Sequence, residues 1–594
     1  MPAFARDDIL LAGLALLLVL TIAAYVPTTV ILYQKNSSTE DDVNALQKQI
    51  KILQNAAPVI VQVQDPIVND DDVDLSVKAR TISGFGYNSQ NWGAAGTPYA
   101  RMIQPQDWKA VENVSTVNER SISLAISHGD CINRTSNCGF NQLFVVFGQL
   151  IDHDITRVPG AGDTQPRLQI DVSGDPIFDP YTNVSNPVID VERRAVFWDT
   201  SDQKQYNNAI TSWIDGSFLY GPDEARALQL RTLRHGTMKY LPHDGGDLLP
   251  VNVFDEDTDQ RTHETTSAGF VCGDRRCEEQ PLLAAVQNLW LRYHNYLAKD
   301  IEALHPTWDD EHIYQYARAT LIGVLNRIVY EEFLPTMFNE PEPLGPLPVS
   351  PMTLTHPPLY LHFSMASWRL GHSMVSESIW LGQQVDDLLN ITDVFSLRDR
   401  FFNNTIILKY NVEPILLGSI ANPAQRLDTC FVDVLQNHLF GNLNMGFLDL
   451  LAINIARGRE VELPTYNIVR SLFSLSAVTT FADLTGNADA YATQLALDLE
   501  TVYNQTGTEG LDLFVGLLAE KHHTGGCMGE TISIILRHQF ELLRNSDPFF
   551  YGFEGALDDY QSNIVANTDL KGVFRRVTTI DVDALPANLF LVPI

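Results

Sequence analysis

Apolar positions follow three patterns along the chain. The first is an unbroken run: Ile9–Tyr33 (ILLAGLALLLVLTIAAYVPTTVILY) is nearly uncharged and long enough to cross a hydrocarbon layer of ~30 Å as a helix. It exceeds the ~7–15 residues of a signal-peptide core. It therefore predicts a transmembrane signal anchor at 9–33 behind a short cytoplasmic N-terminus, 1–8, with secretion after cleavage as the alternative. The second pattern is a short seam, Val43, Leu46, Ile50 and Leu53, inside a polar stalk or linker at 34–75 that contains Asp70-Asp71-Asp72. Two heptads could pair stalks into a weak dimer, although a helix this short is marginal alone. The third pattern is helical spacing over Leu282–Ile301, Ile313–Phe333, Phe431–Phe440, Thr493–Val502 and Glu530–Arg544. Gly/Pro-rich connections separate these stretches and strand alternation is scarce. A mainly α, large single domain is expected over 76–594.

One helical stretch carries unusual polar residues. In Phe140–Arg157 (FNQLFVVFGQLIDHDITR) the residues Leu143, Phe144, Phe147, Leu150 and Ile151 recur at helical spacing, so a buried amphipathic helix is expected. Gln149 and His153 share one face, and Asp152 and Asp154 are turned roughly 100° to either side of His153. Unpaired buried carboxylates are costly, so each needs a partner. From this stretch alone, a core histidine between two surface aspartates suits the pattern equally well.

Composition narrows the function. The chain has 594 residues and a net charge of -33, which argues against nucleic acid or anionic lipid as a partner of the folded part. Six cysteines are too few for a disulfide scaffold, though their even number suits an exported protein. The sequons at Asn36, Asn113, Asn133, Asn183, Asn390, Asn403 and Asn504 all follow the apolar run, which places the bulk of the protein outside the cytoplasm. The acidic run Asp255–Asp259 is expected to be solvated charge.

Phe147-Gly148-Gln149-Leu150-Ile151-Asp152-His153-Asp154 resembles the F-G-Q-x-x-D-H-D of the animal haem peroxidases, and other parts follow in family order. The segment after Arg80 resembles the family's entry, with Trp92, Gly93, Ala94, Thr97 and Pro98 in place. CGDRRCEEQP resembles A-G-D-x-R-x-x-E-x-P, and SWRLGHSMV the proximal W/F-R-x-G-H. Further matches without a chemical role are Leu291–Ala298, Val329–Pro335 and Leu543–Tyr551.

The resemblance implies haem b held between a distal and a proximal helix. His372 would ligate the iron, with Asn454 on its other ring nitrogen and Arg369 and Arg457 near the haem carboxylates. His153 would move the peroxide proton, Arg276 would stabilise the separating charge, and Gln149 completes the catalytic set. Asp152 and Glu279 would form ester links to haem, while Gln280 stands where myeloperoxidase has a sulfonium-forming methionine. A calcium ion would take Asp154, Thr211, Asp215, Ser217 and the Trp213 carbonyl.

The implied activity is oxidation of small anionic or phenolic donors by hydrogen peroxide, compatible with a peroxide-generating oxidase as partner. The alternatives are a fatty-acid oxygenase on the same fold and a membrane-tethered adhesion or scaffold protein with a vestigial haem pocket. Departures from the family are Glu460-Val461-Glu462, Gln287 and Tyr293. Cys272 with Cys277 is expected to close a loop around Arg276. Cys131 with Cys138 and Cys430 with Cys527 are the other pairings expected.

Overall fold

The computed structural model describes residues 80–593 except 110–114, 130, 181–185, 199–202, 252–268, 386–387, 441–446 and 487–488. The expected anchor (9–33), stalk (34–75) and acidic run 255–259 lie outside the described residues. Among the described residues no helix is long and apolar enough to cross a membrane.

Helices dominate, and the Gln142–Ile155 helix lies at their centre. Asn141 caps it by accepting the Phe144 N–H at 3.0 Å. The same side chain donates to the carbonyls of Ile420 and Leu589, tying two remote segments to the helix start. Leu143, Phe144, Phe147, Leu150 and Ile151 are each no more than 2% exposed, so the apolar stripe is the buried face.

The 24-residue helix Pro281–Leu304 packs against it. Pro281 opens the first turn, where a missing N–H costs nothing, and Gln280 caps it through Leu282 N at 2.8 Å. The following helix, Asp310–Ile328, widens into a π turn at Val329–Phe333 and continues as Leu334–Phe338. Pro335 has no N–H and would crowd the carbonyl four residues back, which a π turn accommodates. The turn delivers Phe333 against Phe144 and Phe147, with ring centroids 4.7 and 5.2 Å apart.

Two expectations need correction and one gains detail: the helix that carries His372, Ser367–Met374, is of the 3-10 type. The Met374 carbonyl there accepts Gln142 Nε2 and Gln425 N, so it is used for tertiary contacts instead of extending a helix. Within Phe431–Phe440 only Asp433–Gln436 is helical. Gln436 turns to the carbonyls of Ser123 and Ser127, Asn437 accepts from Arg120, and Phe440 adopts a positive φ. The disulfides are Cys131–Cys430 and Cys138–Cys527, because bridges Thr135–Gln425 and Asn141–Pro423 lay the 131–141 stretch beside 423–430.

Strands are few. The longest pair, Ser378–Val385 with Leu388–Ser396, is an antiparallel hairpin packed on the helix Glu413–Ala421. A Cβ on Gly418 would lie 1.8 Å from the Trp380 carbonyl oxygen, so only glycine allows this approach. Gly418→Ala should therefore destabilise the fold by about 1–3 kcal/mol, read as a lower urea-unfolding midpoint. An unchanged midpoint would mean the hairpin and helix are not packed this closely.

Candidate active site

His153 occupies the last turn of the Gln142–Ile155 helix and is 3% exposed. Its Nε2 lies 3.9 Å from Glu279 Oε2 and its Nδ1 3.5 Å from Asp274 Oδ1. Neither approach is a hydrogen bond, and Nδ1 is a buried nitrogen without a partner. Burial disfavours the imidazolium and the Arg276 cation adds to it, against Asp274, bringing the pKa down to about 3. The ring is neutral at physiological pH. One turn back, Gln149 donates to Glu279 at 3.2 Å and accepts from Gln280 at 3.1 Å.

Arg276 approaches from the segment before the long helix. Its backbone N–H and Nε share Asp274 Oδ1 at 2.8 and 2.9 Å, and Nη2 reaches Oδ2 at 2.8 Å. Its outer edge donates to the Thr156 carbonyl at 3.0 Å and to Asp152 at 3.3 Å. Burial would raise the Asp274 pKa, but Arg276 and His153 hold that carboxyl well below the usual range. Asp152 goes the other way: desolvation pushes it up to about 6, over the opposing Arg276 and Arg369 cations.

The neighbouring residues point elsewhere. Arg275 lies in the field of Arg157, Arg226 and Asp223. Glu278 is buried against the Phe270 N–H, and desolvation raises it to about 7. Cys272 and Cys277 are two buried thiols bonded to one another, and not the expected loop-closing disulfide. Cys272 donates to the Asp274 carbonyl at 2.9 Å and Cys277 to the Phe270 carbonyl at 3.5 Å.

On the other wall, His372 Nδ1 lies 2.8 Å from Asn454 Nδ2, whose Oδ1 accepts from Arg369 at 2.7 Å. Burial and the Arg369 cation lower the His372 pKa to about 3. Asn454 and Arg457 share one face of the Leu450–Glu460 helix, which Asp449 caps. Arg369 and Arg457 are joined by Arg194. Burial and then the Arg457 cation lower Arg369 to about 10 and Arg194 to about 9. Glu460 is the carboxylate they share, accepting from Arg457 Nη1 at 2.5 Å and from the Arg194 backbone at 2.8 Å. The Nε atoms of Arg194 and Arg457 are buried without partners. Three guanidiniums face two carboxylates, Glu460 and Asp152, and the two carboxylates of a haem would offset the remaining positive charge.

The two walls meet. Gln142 of the first helix donates to Met374 at 3.0 Å. Thr156, at that helix's end, bonds both Tyr99 and Ser364. Asp152 lies within the field of Arg369.

A second cluster lies behind His153. Asp154 accepts the N–H groups of Gly216 and Phe218 at 3.2 and 3.1 Å. Asp215 accepts from Thr211 Oγ1 at 2.8 Å and Ser217 Oγ at 2.6 Å, while Trp213 is buried beside it. Desolvation raises both carboxyls, the Asp215 charge raises Asp154 further, and Arg318 opposes the rise at Asp215. Two buried carboxylates with two hydroxyls suit a hard cation.

Asp274, Arg194, Gln280 and Glu460 were not among the site residues read from sequence. Asp274 could have been, since it stands two residues before Arg276. Arg194 carries no local signal.

A family model described as animal haem peroxidase matches residues 79–590. Peroxinectin A of Dictyostelium discoideum is 30% identical over 500 residues, covering 80% of this chain and 89% of that protein. Dual oxidase 1 of Caenorhabditis elegans is 27% identical over 535 residues, covering 84% of this chain but 34% of its own length. Among solved structures, peroxidase A from Dictyostelium discoideum superposes with a TM-score of 0.78 at 28% identity, covering 86% of this chain and 99% of that one. A fatty acid alpha-dioxygenase of Arabidopsis thaliana gives 0.70 at 18%, covering 86% and 83%, a likeness of fold alone.

Both imidazoles are held near pKa 3 in the fold, below the ~6.5 of an unfolded histidine. Between those values the unfolded chain binds more protons, so their contribution to stability is full above pH ~6.5 and is lost as pH falls toward 3. The urea midpoint should drop from pH 7 to pH 5, and His153→Gln should flatten part of that slope. Equal slopes in the two proteins would show that the ring protonates freely in the fold.

Proposed function

The chain belongs to the animal haem peroxidase family and is a peroxidase; from that premise we propose an extracytoplasmic enzyme that oxidises iodide, bromide, thiocyanate or phenols with hydrogen peroxide. The observation that carries this reading is a neutral, buried His153 beside a guanidinium clamped by Asp274. Haem, when bound, supplies the iron at which peroxide is reduced. His153 takes the proton from the inner peroxide oxygen and returns it to the outer one, a role only the neutral ring can start. Arg276 stabilises charge on the departing oxygen, and its clamp means it need not reorganise as that charge develops.

His372 is the residue we assign to the iron. In the structure Arg369 donates to Asn454 Oδ1, leaving the amide N–H for His372 Nδ1. With iron on its other nitrogen, His372 would carry its proton on Nδ1, and the Asn454 amide would have to present its oxygen there to accept it. Arg369, Arg457 and Arg194 would hold the haem carboxylates. Asp152 and Glu279, flanking His153 and Arg276, are the residues we assign to ester links.

Support for an oxidising compartment comes from two long-range disulfides and from exposed sequons at Asn133, Asn390 and Asn504. A type II anchor at 9–33 remains our reading of the N-terminus, tested by whether protein released from cells keeps that segment. The carboxylates Asp152 and Glu279 argue against the fatty-acid oxygenase reading, and a lipid-oxygenation assay separates the two.

Purified protein given peroxide should oxidise iodide and thiocyanate but not chloride, and a peroxide-generating oxidase with its reductant should replace added peroxide. Haem should stay with the polypeptide after acid-acetone extraction, and Asp152→Asn with Glu279→Gln should release it. Inactivity toward every donor would sink the proposal.

For the second cluster we propose Ca2+ on Asp154, Thr211, Trp213, Asp215 and Ser217. Chelation should lower the thermal midpoint of the wild type and leave Asp215→Asn, already lower, unmoved. Indifference of the wild type to chelator would remove the ion.

A further inference from the structure

Two stretches without a chemical role, Val329–Pro335 and Leu543–Tyr551, meet around a line of aromatic rings. The line starts at Trp368, on the same 3-10 helix as His372. Its ring lies 4.9 Å from that of Phe540, which lies 6.4 Å from Tyr330. Tyr330 lies 5.3 Å from Phe550, and Phe550 lies 4.5 Å from Tyr551. Tryptophan and tyrosine can lose an electron to a strong oxidant, whereas phenylalanine holds its electrons too tightly. The stops are therefore Trp368, Tyr330 and Tyr551, with one phenyl ring between each pair.

The proton partners decide where an electron vacancy comes to rest, because an oxidised phenol or indole is a strong acid. Trp368 Nε1 is buried with no hydrogen-bond partner. The Tyr330 hydroxyl donates to the Phe540 carbonyl at 3.1 Å, a poor base. The Tyr551 hydroxyl donates to the carboxylate of exposed Glu331 at 2.6 Å. Only at the outer end can the proton leave.

We infer that Tyr551 is a second oxidation site at the protein surface, serving phenols and other one-electron aromatic donors too bulky to reach His153. The inference rests on the peroxidase reading above. Peroxide takes two electrons from the enzyme and two protons from solvent and leaves as water. Each electron is refilled in turn from Tyr551 through Tyr330 and Trp368, as the Tyr551 proton passes to Glu331, so that two donors are consumed per peroxide. A bulky phenol then gives Tyr551 one electron and becomes a phenoxyl radical. Glu331 returns its proton to Tyr551, and the proton of the donor goes to solvent.

Tyr316 supplies an internal control. It donates to Asp558 at 2.6 Å, but its ring neighbours are His305, Trp308 and Tyr560, which do not lead to Trp368.

Holoenzyme treated with peroxide and a nitroso spin trap, then digested and mapped by mass spectrometry, should carry the adduct on Tyr551 and not on Tyr316. Tyr551→Phe keeps the ring and should abolish that adduct, lower kcat/KM for a bulky phenol about ten-fold, and leave iodide oxidation unchanged. Glu331→Gln should weaken the adduct with Tyr551 still present. Adducts only at other residues, or a Tyr551→Phe enzyme that oxidises the bulky phenol at the wild-type rate, would overturn the inference while iodide oxidation leaves the peroxidase reading standing. Failure of the wild type to oxidise iodide would instead overturn the reading on which it rests.

Discussion

A guanidinium withdrawn from water needs a carboxylate, and Arg276 has Asp274 on one edge and Asp152 on the other. Asp274 takes three of its N–H groups, the backbone included, so the arginine cannot swing without breaking a buried ion pair worth several kcal/mol. That clamp has a second effect. The cation it fixes helps keep His153 neutral, and Asp274, close to the ring, is too committed to Arg276 to reverse that. A proton acceptor and a fixed positive charge can share one dry space only on these terms.

The same rule of pairing accounts for Glu460 and Gln280. Glu460 does not leave Arg457 exposed to an unmatched field. It is buried, and bonds Arg457 and the Arg194 backbone together. Its backbone carbonyl also accepts from Tyr206 and Lys204. Gln280 closes the hydrogen-bond chain from Gln149 and caps the long helix. Glu460 and Gln280 each meet a local electrostatic or hydrogen-bonding demand, whereas the buried Gln287 amide has no hydrogen-bond partner.

Much of the helical framework was legible, because long helices with one buried face announce themselves by spacing. Pro281–Leu304, Asp310–Ile328 and Glu530–Ser546 follow their apolar residues to within a few positions. Shorter elements were not legible. Asp433–Gln436 is one turn long because Gln436 and Asn437 are used by Ser123 and Arg120, more than 300 positions away. The hairpin at 378–396 was missed because its inner strand packs on a helix through glycines and its outer strand is largely exposed.

The candidate site divides in the same way. Resemblance to the family's motifs singled out His153 between two aspartates on an apolar helix, Arg276 counted from Gly273-Asp274, and His372 after Trp-Arg-Leu-Gly, where local order alone left a core histidine or a surface ion pair open. Those relations lie within ten residues of backbone, where periodicity and motif spacing are rigid. Only the tertiary structure decided that Cys131 faces Cys430, that Cys138 faces Cys527, and that Arg194 joins Arg369 and Arg457. Such pairings depend on which distant segments the core brings together, and no local spacing encodes that.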